Sequence, residues 1–313
     1  MGGKMVRAAC VGECMIELSE LADGRLSRSY GGDTFNTALY MARLGVGVDY
    51  VTALGDDGWS DEMVAGWQAE SIGTDLVLRL PGRLPGLYVI QTDAKGERRF
   101  QYWRDSAAAR SLFDLPETPA VIDVLAGFDL IYISGITLSL YGDAGRERLF
   151  EALDRARTRG GRIAFDTNFR PRGWPDRDLA QKVYRRALDA ADIVLASAED
   201  LELLFGADGE AELLERRHQR SFELILKRVE PACRVLADGV DQEVAAEPVD
   251  DVVDTTAAGD SFAAAYLAAR LNGVDPVTAA KAGHRLAGTV VRHRGAIIPR
   301  SAMPDMTGLL SPP

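Results

Sequence analysis

The sequence predicts a three-layer α/β/α domain, a mostly parallel sheet covered on both faces by helices, with a small β-sheet projecting from it. Three observations predict this. Short apolar runs recur along the 313 residues, at the length of buried strands. Segments with helical periodicity separate them, so successive strands run the same way and need cover on both faces. Two stretches follow neither pattern.

In chain order, residues 6–11, 50–54, 130–134, 163–166, 193–195 and 224–227 read as buried strands. Residues 34–44 suit a helix closed by Gly45, since glycine tolerates the left-handed conformation of a helix end. Residues 60–70 and 198–205 suit two more. Leu179, Val183, Ala187 and Leu188 make one apolar stripe, with Lys182, Arg185 and Arg186 largely off it. Residues 262–271 form an alanine-rich helix able to pack closely. The exceptions are residues 15–30 and 84–104. In the second, Asp93-Ala94-Lys95-Gly96 is a turn signal between strands at 88–92 and 99–103, which predicts a β-hairpin. Segments 14–32 and 83–105 together make a small sheet within one domain spanning 1–313. Because the hairpin carries Tyr88, Tyr102 and Arg104, we read it as a lid over a ligand. Residues 308–313 read as a frayed tail.

Composition narrows the function. A net charge of −11 repels nucleic acid and anionic membranes, but permits a small anion held by local arginines. No apolar run has membrane-spanning length and no signal peptide is evident, so the expectation is a cytoplasmic protein. Cys10, Cys14 and Cys233 form neither a disulfide framework nor a metal set, and read as packing residues.

The chemistry concentrates in Asp254-Thr255-Thr256-Ala257-Ala258-Gly259-Asp260-Ser261-Phe262. An extended run ends there and a helix begins, so unpaired N–H groups and the helix dipole make a phosphate site. An aspartate in that first turn, Asp260, is placed to take a proton from a hydroxyl beside the phosphate. Aspartate also simply favours helix starts, so the segment alone leaves capping and catalysis open.

The full string resembles the carboxyl-terminal signature of the PfkB (ribokinase-like) carbohydrate kinases, which usually has glycine where this chain has Ala257. Gly31-Gly32-Asp33-Thr34-Phe35-Asn36-Thr37-Ala38 is similar to that family's sugar-binding di-glycine motif. Further segments (Gly12 to Glu20, Leu84 to Tyr88, Tyr102 to Arg104, Asp166 to Pro171 and Arg294 to Arg300) resemble the subgroup acting on a keto-deoxy sugar acid. The resemblance implies a ribokinase-like fold and ATP- and Mg²⁺-dependent phosphorylation of the 6-hydroxyl of 2-dehydro-3-deoxy-D-gluconate. Asp260 would be the base, and the N–H groups of Ala257, Ala258 and Gly259 would hold the transferring phosphoryl group. Gly32, Asp33, Asn36, Tyr88, Tyr102, Arg104, Ile136 and Arg170 would meet the sugar acid, the arginines taking its carboxylate through a planar fork. Ser197, Lys227 and Arg228 would meet ATP, and Asp254 would neighbour a K⁺ site. A homodimer through the lids, or a higher homo-oligomer, is a further expectation. Val229-Glu230-Pro231 departs from the family's glycine-bearing nucleotide loop, and Ser197-Ala198-Glu199-Asp200 from its usual Asn-x-x-Glu. The alternatives are a kinase for fructose, ribose or another keto acid, and a catalytically weakened sugar-binding regulator.

Overall fold

Four of the five residues of β1 (Arg7–Val11) are fully buried, as a central strand covered on both faces requires. The structure, a computed structural model, describes residues 6–21, 23–92, 98–237 and 239–312. After β1 come β2 (Met15–Glu20), β3 (Leu26–Gly31), α1 (Asp33–Arg43), β4 (Gly47–Leu54), α2 (Gly58–Ala69) and β5 (Val77–Arg79). Next are β6 (Leu87–Thr92), β7 (Arg98–Trp103), α3 (Thr118–Leu125), β8 (Leu130–Ser134), α4 (Gly135–Leu140), α5 (Asp143–Thr158) and β9 (Arg162–Asp166). The chain continues with α6 (Arg177–Ala190), β10 (Ile193–Ser197), α7 (Ala198–Phe205), α8 (Gly209–Arg220) and β11 (Glu223–Lys227). It ends with β12 (Ala232–Ala237), β13 (Val240–Ala245), α9 (Ala258–Leu271) and α10 (Pro276–Val290).

The large sheet runs β13-β12-β11-β10-β9-β8-β1-β4-β5. It is parallel from β11 to β5, with β12 and β13 added antiparallel at one edge. Strand alternation splits its side chains between two cores. Val51 and Ala53 of β4 face Leu149 of α5 and Val183 of α6. Val48, Tyr50 and Leu54 of β4 face α1, α2, α9 and α10. There Tyr50 meets Phe35 and Trp67 with ring centroids 5.0–5.6 Å apart. The alanines of α9 let it sit close to α10, where the Phe262 ring fills the space beside Gly283; a Cβ there would lie 2.7 Å from the ring.

The small sheet runs β3-β2-β6-β7, two antiparallel hairpins joined by a parallel β2–β6 pair. Its strands lie within the expected segments; the turn at 93–96 lies outside the described residues. Three strands were not anticipated: β5, β12 and β13. Helix α9 starts at Ala258, four residues before the expected 262, because the chain turns through a left-handed residue at Ala257 (φ 59°). The frayed-tail expectation is corrected for the described part. Leu309 and Leu310 pack against the second core, and Asn272 donates to the Leu310 carbonyl at 3.0 Å. Among the described residues no helix is long and apolar enough to cross a membrane.

Candidate active site

The carboxyl ends of β8, β9 and β11 deliver Ser134, Asp166 and Lys227 to one place, beside the starts of α1 and α9. Lys227 Nζ donates to Asp166 Oδ2 at 2.9 Å. The same ammonium lies 3.6 Å from where a Cβ on Gly259 would be, which places Lys227 beside the start of α9. Asp260 sits in the first turn of α9, and the Asn36 amide of α1 donates to its Oδ2 at 2.8 Å. Thr37 Oγ1 ties α1 to α9 through the Asp260 carbonyl at 3.3 Å. Asp33 opens α1 and accepts from Asn168 Nδ2 at 2.8 Å. Thr167 donates to Asp200 at 2.8 Å.

Asp33, Asp166 and Asp260 therefore lie close together, and Lys227 faces Asp166, Asp200 and Asp260. Burial and the facing Asp33 carboxylate push Asp260 up to about 7, against the pull of Asn36 and Lys227. Burial also raises Asp33, with Asp166 adding to it, while hydrogen bonds from Ser134 and Asn168 hold it down. Burial alone would discharge Lys227, but Asp166, with Asp200 and Asp260 adding to it, outweighs that and holds the ammonium charged. The Asn36 Oδ1 atom is buried without a partner. With Nδ2 given to Asp260, it is an acceptor offered to a hydroxyl.

The expected residues divide. Of the three phosphate donors, the Ala258 N–H already donates to the Thr255 carbonyl at 3.2 Å, which leaves Ala257 and Gly259 as the open ones. Gly32 stands at the head of α1 against the Glu13 backbone; a Cβ would lie 2.1 Å from the Glu13 carbonyl oxygen. Ile136, half-buried in α4, follows Ser134, whose hydroxyl bonds Asp33. Arg170 is largely exposed and reaches Asp200 only at 3.5 Å. Arg104 bonds the buried Glu13 carboxylate. Tyr88 donates to Glu17 and packs 5.8 Å from the half-exposed Tyr102 ring. Ser197 caps α7, its hydroxyl accepting from Asp200 N at 3.3 Å. Arg228 is turned to α8, where it pairs with Glu210. Asp254 is buried, accepting from Thr256 N at 2.7 Å and Gly295 N at 2.9 Å.

Asp166, Thr167, Asn168, Asp200 and Glu13 were not among the expected site residues. The signal was available for Asp166: it ends a parallel strand, where ligands of such sheets gather.

A sheet of this order, its polar groups meeting at a helix start beyond the strand ends, is the framework of a small-molecule kinase. Residues 5–303 match the pfkB family carbohydrate kinases, and the chain belongs to that family. It is 46% identical over 304 residues to the 2-dehydro-3-deoxygluconokinase of Dickeya dadantii (strain 3937), covering 95% of this chain and 98% of that one. Identity to the 2-dehydro-3-deoxygluconokinase of Escherichia coli (strain K12) is 44% over 306 residues, covering 95% and 99%. The crystal structure of a fructokinase with bound ATP from Xylella fastidiosa superposes with a TM-score of 0.82 at 26% identity, covering 97% of each chain.

Proposed function

We propose that this chain phosphorylates the 6-hydroxyl of 2-dehydro-3-deoxy-D-gluconate with ATP and Mg²⁺. The observation that carries the reaction type is Asp260, a carboxyl raised to about 7 in the first turn of α9. A base with that value is half-charged near neutral pH, where proton transfer from a hydroxyl is efficient. Asn36 orients it and offers its own Oδ1 to the sugar. The Ala257 and Gly259 N–H groups and Lys227 face the phosphoryl end, where developing charge needs fixed donors. Among the described residues no three carboxylate, histidine or cysteine side chains form a metal cage. That suits Mg²⁺, which keeps waters and arrives on nucleotide phosphates; it would share the charge of those phosphates. K⁺ near Asp254 belongs to the same reading, tested by activity in K⁺ against Na⁺.

Support for the substrate comes from the two relatives and from Arg104 and Arg170, which are suited to a carboxylate that neutral sugars lack. In this reading the small sheet is the lid. Its exposed Leu26, Phe100, Tyr102 and Trp103 favour a homodimer through the lids, which sedimentation at monomer mass would remove. The proposed compartment is the cytoplasm, where ATP is available. The decisive experiment is coupled ATP turnover with 2-dehydro-3-deoxy-D-gluconate, fructose and ribose. We expect kcat/KM for the sugar acid to exceed that for fructose by about 10⁴-fold, the scale on which a built polar site rejects an analogue lacking its partner group. Equal turnover of the two sinks the substrate assignment.

A further inference from the structure

The chain passes between the large and small sheets four times, and the crossings meet on one residue. Glu13 lies on the first crossing, between β1 and β2. Its backbone carbonyl lies against Gly32 of the second crossing, where a Cβ would come within 2.1 Å. Its carboxylate lies against Gly86 of the third, where a Cβ would fall 2.6 Å from Oε1. On the fourth crossing Arg104, the residue after β7, donates to its Oε2. The Glu13 side chain is 1% exposed and that of Arg104 is 21% exposed, so the pair is buried on the glutamate side and open on the arginine side.

A buried carboxylate is costly unless it is paired and hydrogen-bonded. Here the pairing is incomplete: Glu13 Oε1 and Arg104 Nε are both buried without partners. Burial pushes the Glu13 carboxyl up, and Arg104, with Arg110 nearby, pulls it back down. One guanidinium N–H is spent on Glu13, while a guanidinium carries five. The remaining donors belong to a group whose position is already set.

We propose that Glu13 is the positioning residue for acid recognition: it anchors Arg104 at the lid root so that the free edge of the guanidinium receives the substrate carboxylate. Neutral sugars make no use of that edge, so Glu13 acts on the choice between acid and neutral substrate without touching the sugar. This rests on the reading of Arg104 as the carboxylate receptor.

The test is a double-mutant cycle with 2-dehydro-3-deoxy-D-gluconate and fructose as probes, melting temperature being measured for each variant. Glu13→Gln is expected to raise KM for the sugar acid about tenfold, within the range of coupled neighbours, with kcat changed less than about twofold and KM for fructose nearly unmoved. In the Arg104→Ala background the same change should add less than about twofold, because its only route to the substrate is gone. Glu13→Asp, which keeps the charge one methylene shorter, should raise KM only about two- to fourfold, and stands in if Glu13→Gln does not fold. Arg104→Ala leaving the sugar-acid KM unchanged overturns both the receptor and its anchor. Arg104→Ala raising it while Glu13→Gln acts equally in both backgrounds, or equally on fructose, overturns the anchor alone. Melting changes with KM unmoved overturn it as well.

Discussion

The two ends of the site are charged in opposite styles. At the phosphoryl end, Asp33, Asp166 and Asp260 crowd one another, with Lys227 bonded to Asp166, and burial with mutual repulsion raises Asp33 and Asp260. At the small-sheet end the buried acids accept from neighbouring donors, Glu13 from Arg104 and Glu17 from Tyr88, Ser19 and Ser29. Crowded like charges put a proton within reach at neutral pH, which suits a group that must accept one. Fixed donors of this kind hold an acid in position, which suits recognition. The difference separates reacting groups from holding groups without any ligand in view.

Breaking the crowded end has the largest expected effect. Asp260→Asn keeps the shape and a partner for Asn36 but removes the base, so kcat should fall about 10³-fold, within the usual range for general-base loss. Sugar binding measured by calorimetry should persist. Turnover within tenfold of the parent chain would show that the hydroxyl needs no base there.

The same crowding predicts a pH dependence of activity. kcat/KM should rise with pH through about 7 as Asp260 loses its proton. Asp33→Asn removes the largest neighbouring charge, so that limb should move to lower pH. An unmoved limb would mean that Asp33 and Asp260 do not interact. The stability sign runs the other way. Asp260 binds a proton in the fold at pH values where the unfolded chain, with an ordinary carboxyl near 3.8, has lost it. Its contribution is therefore full below about 4 and is lost as pH rises towards 7. At pH 8 Asp260→Asn should melt above the parent, the reverse of its effect on activity.

How legible each end was follows from the same contrast. The strands and helices near Asp260 announce themselves through apolar runs and periodicity, and 130–134 and 198–205 match β8 and α7 residue for residue. Residues 254–262 were legible as a helix start suited to phosphate, and the reading of Asp260 as a base came from their resemblance to the family signature rather than from the helix start alone. Glu13 was not legible. Its partners lie 91 residues on at Arg104 and at Gly32 and Gly86, and nothing local marks a glutamate as the meeting point of four chain crossings. The antiparallel strands β12 and β13 were missed because they lack full apolar runs: Arg234, Asp241, Gln242 and Glu243 interrupt them. The Arg228–Glu210 pair was invisible for a similar reason, since α8 brings Glu210 to Arg228 only in three dimensions.

The smallest predicted effect sharpens the comparison at the phosphoryl end. Ala257 caps α9 at φ 59°, a region costing a residue with a Cβ roughly 1–2 kcal/mol. That left-handed turn carries the Ala257 and Gly259 N–H groups at the helix start. Ala257→Gly removes the strain but adds backbone freedom to the unfolded chain, which offsets about half of the gain. Melting should rise by about 1–3 °C, as expected for a gain below 1 kcal/mol in a chain of this size. Catalysis should respond in the opposite sense, kcat falling about twofold as the loop loses its fixed turn, with KM for the sugar acid unchanged because the lid end is untouched. A variant that melts lower than the parent would mean that the left-handed turn is held by contacts the methyl group makes, and that Ala257 is a packing residue rather than a strained one.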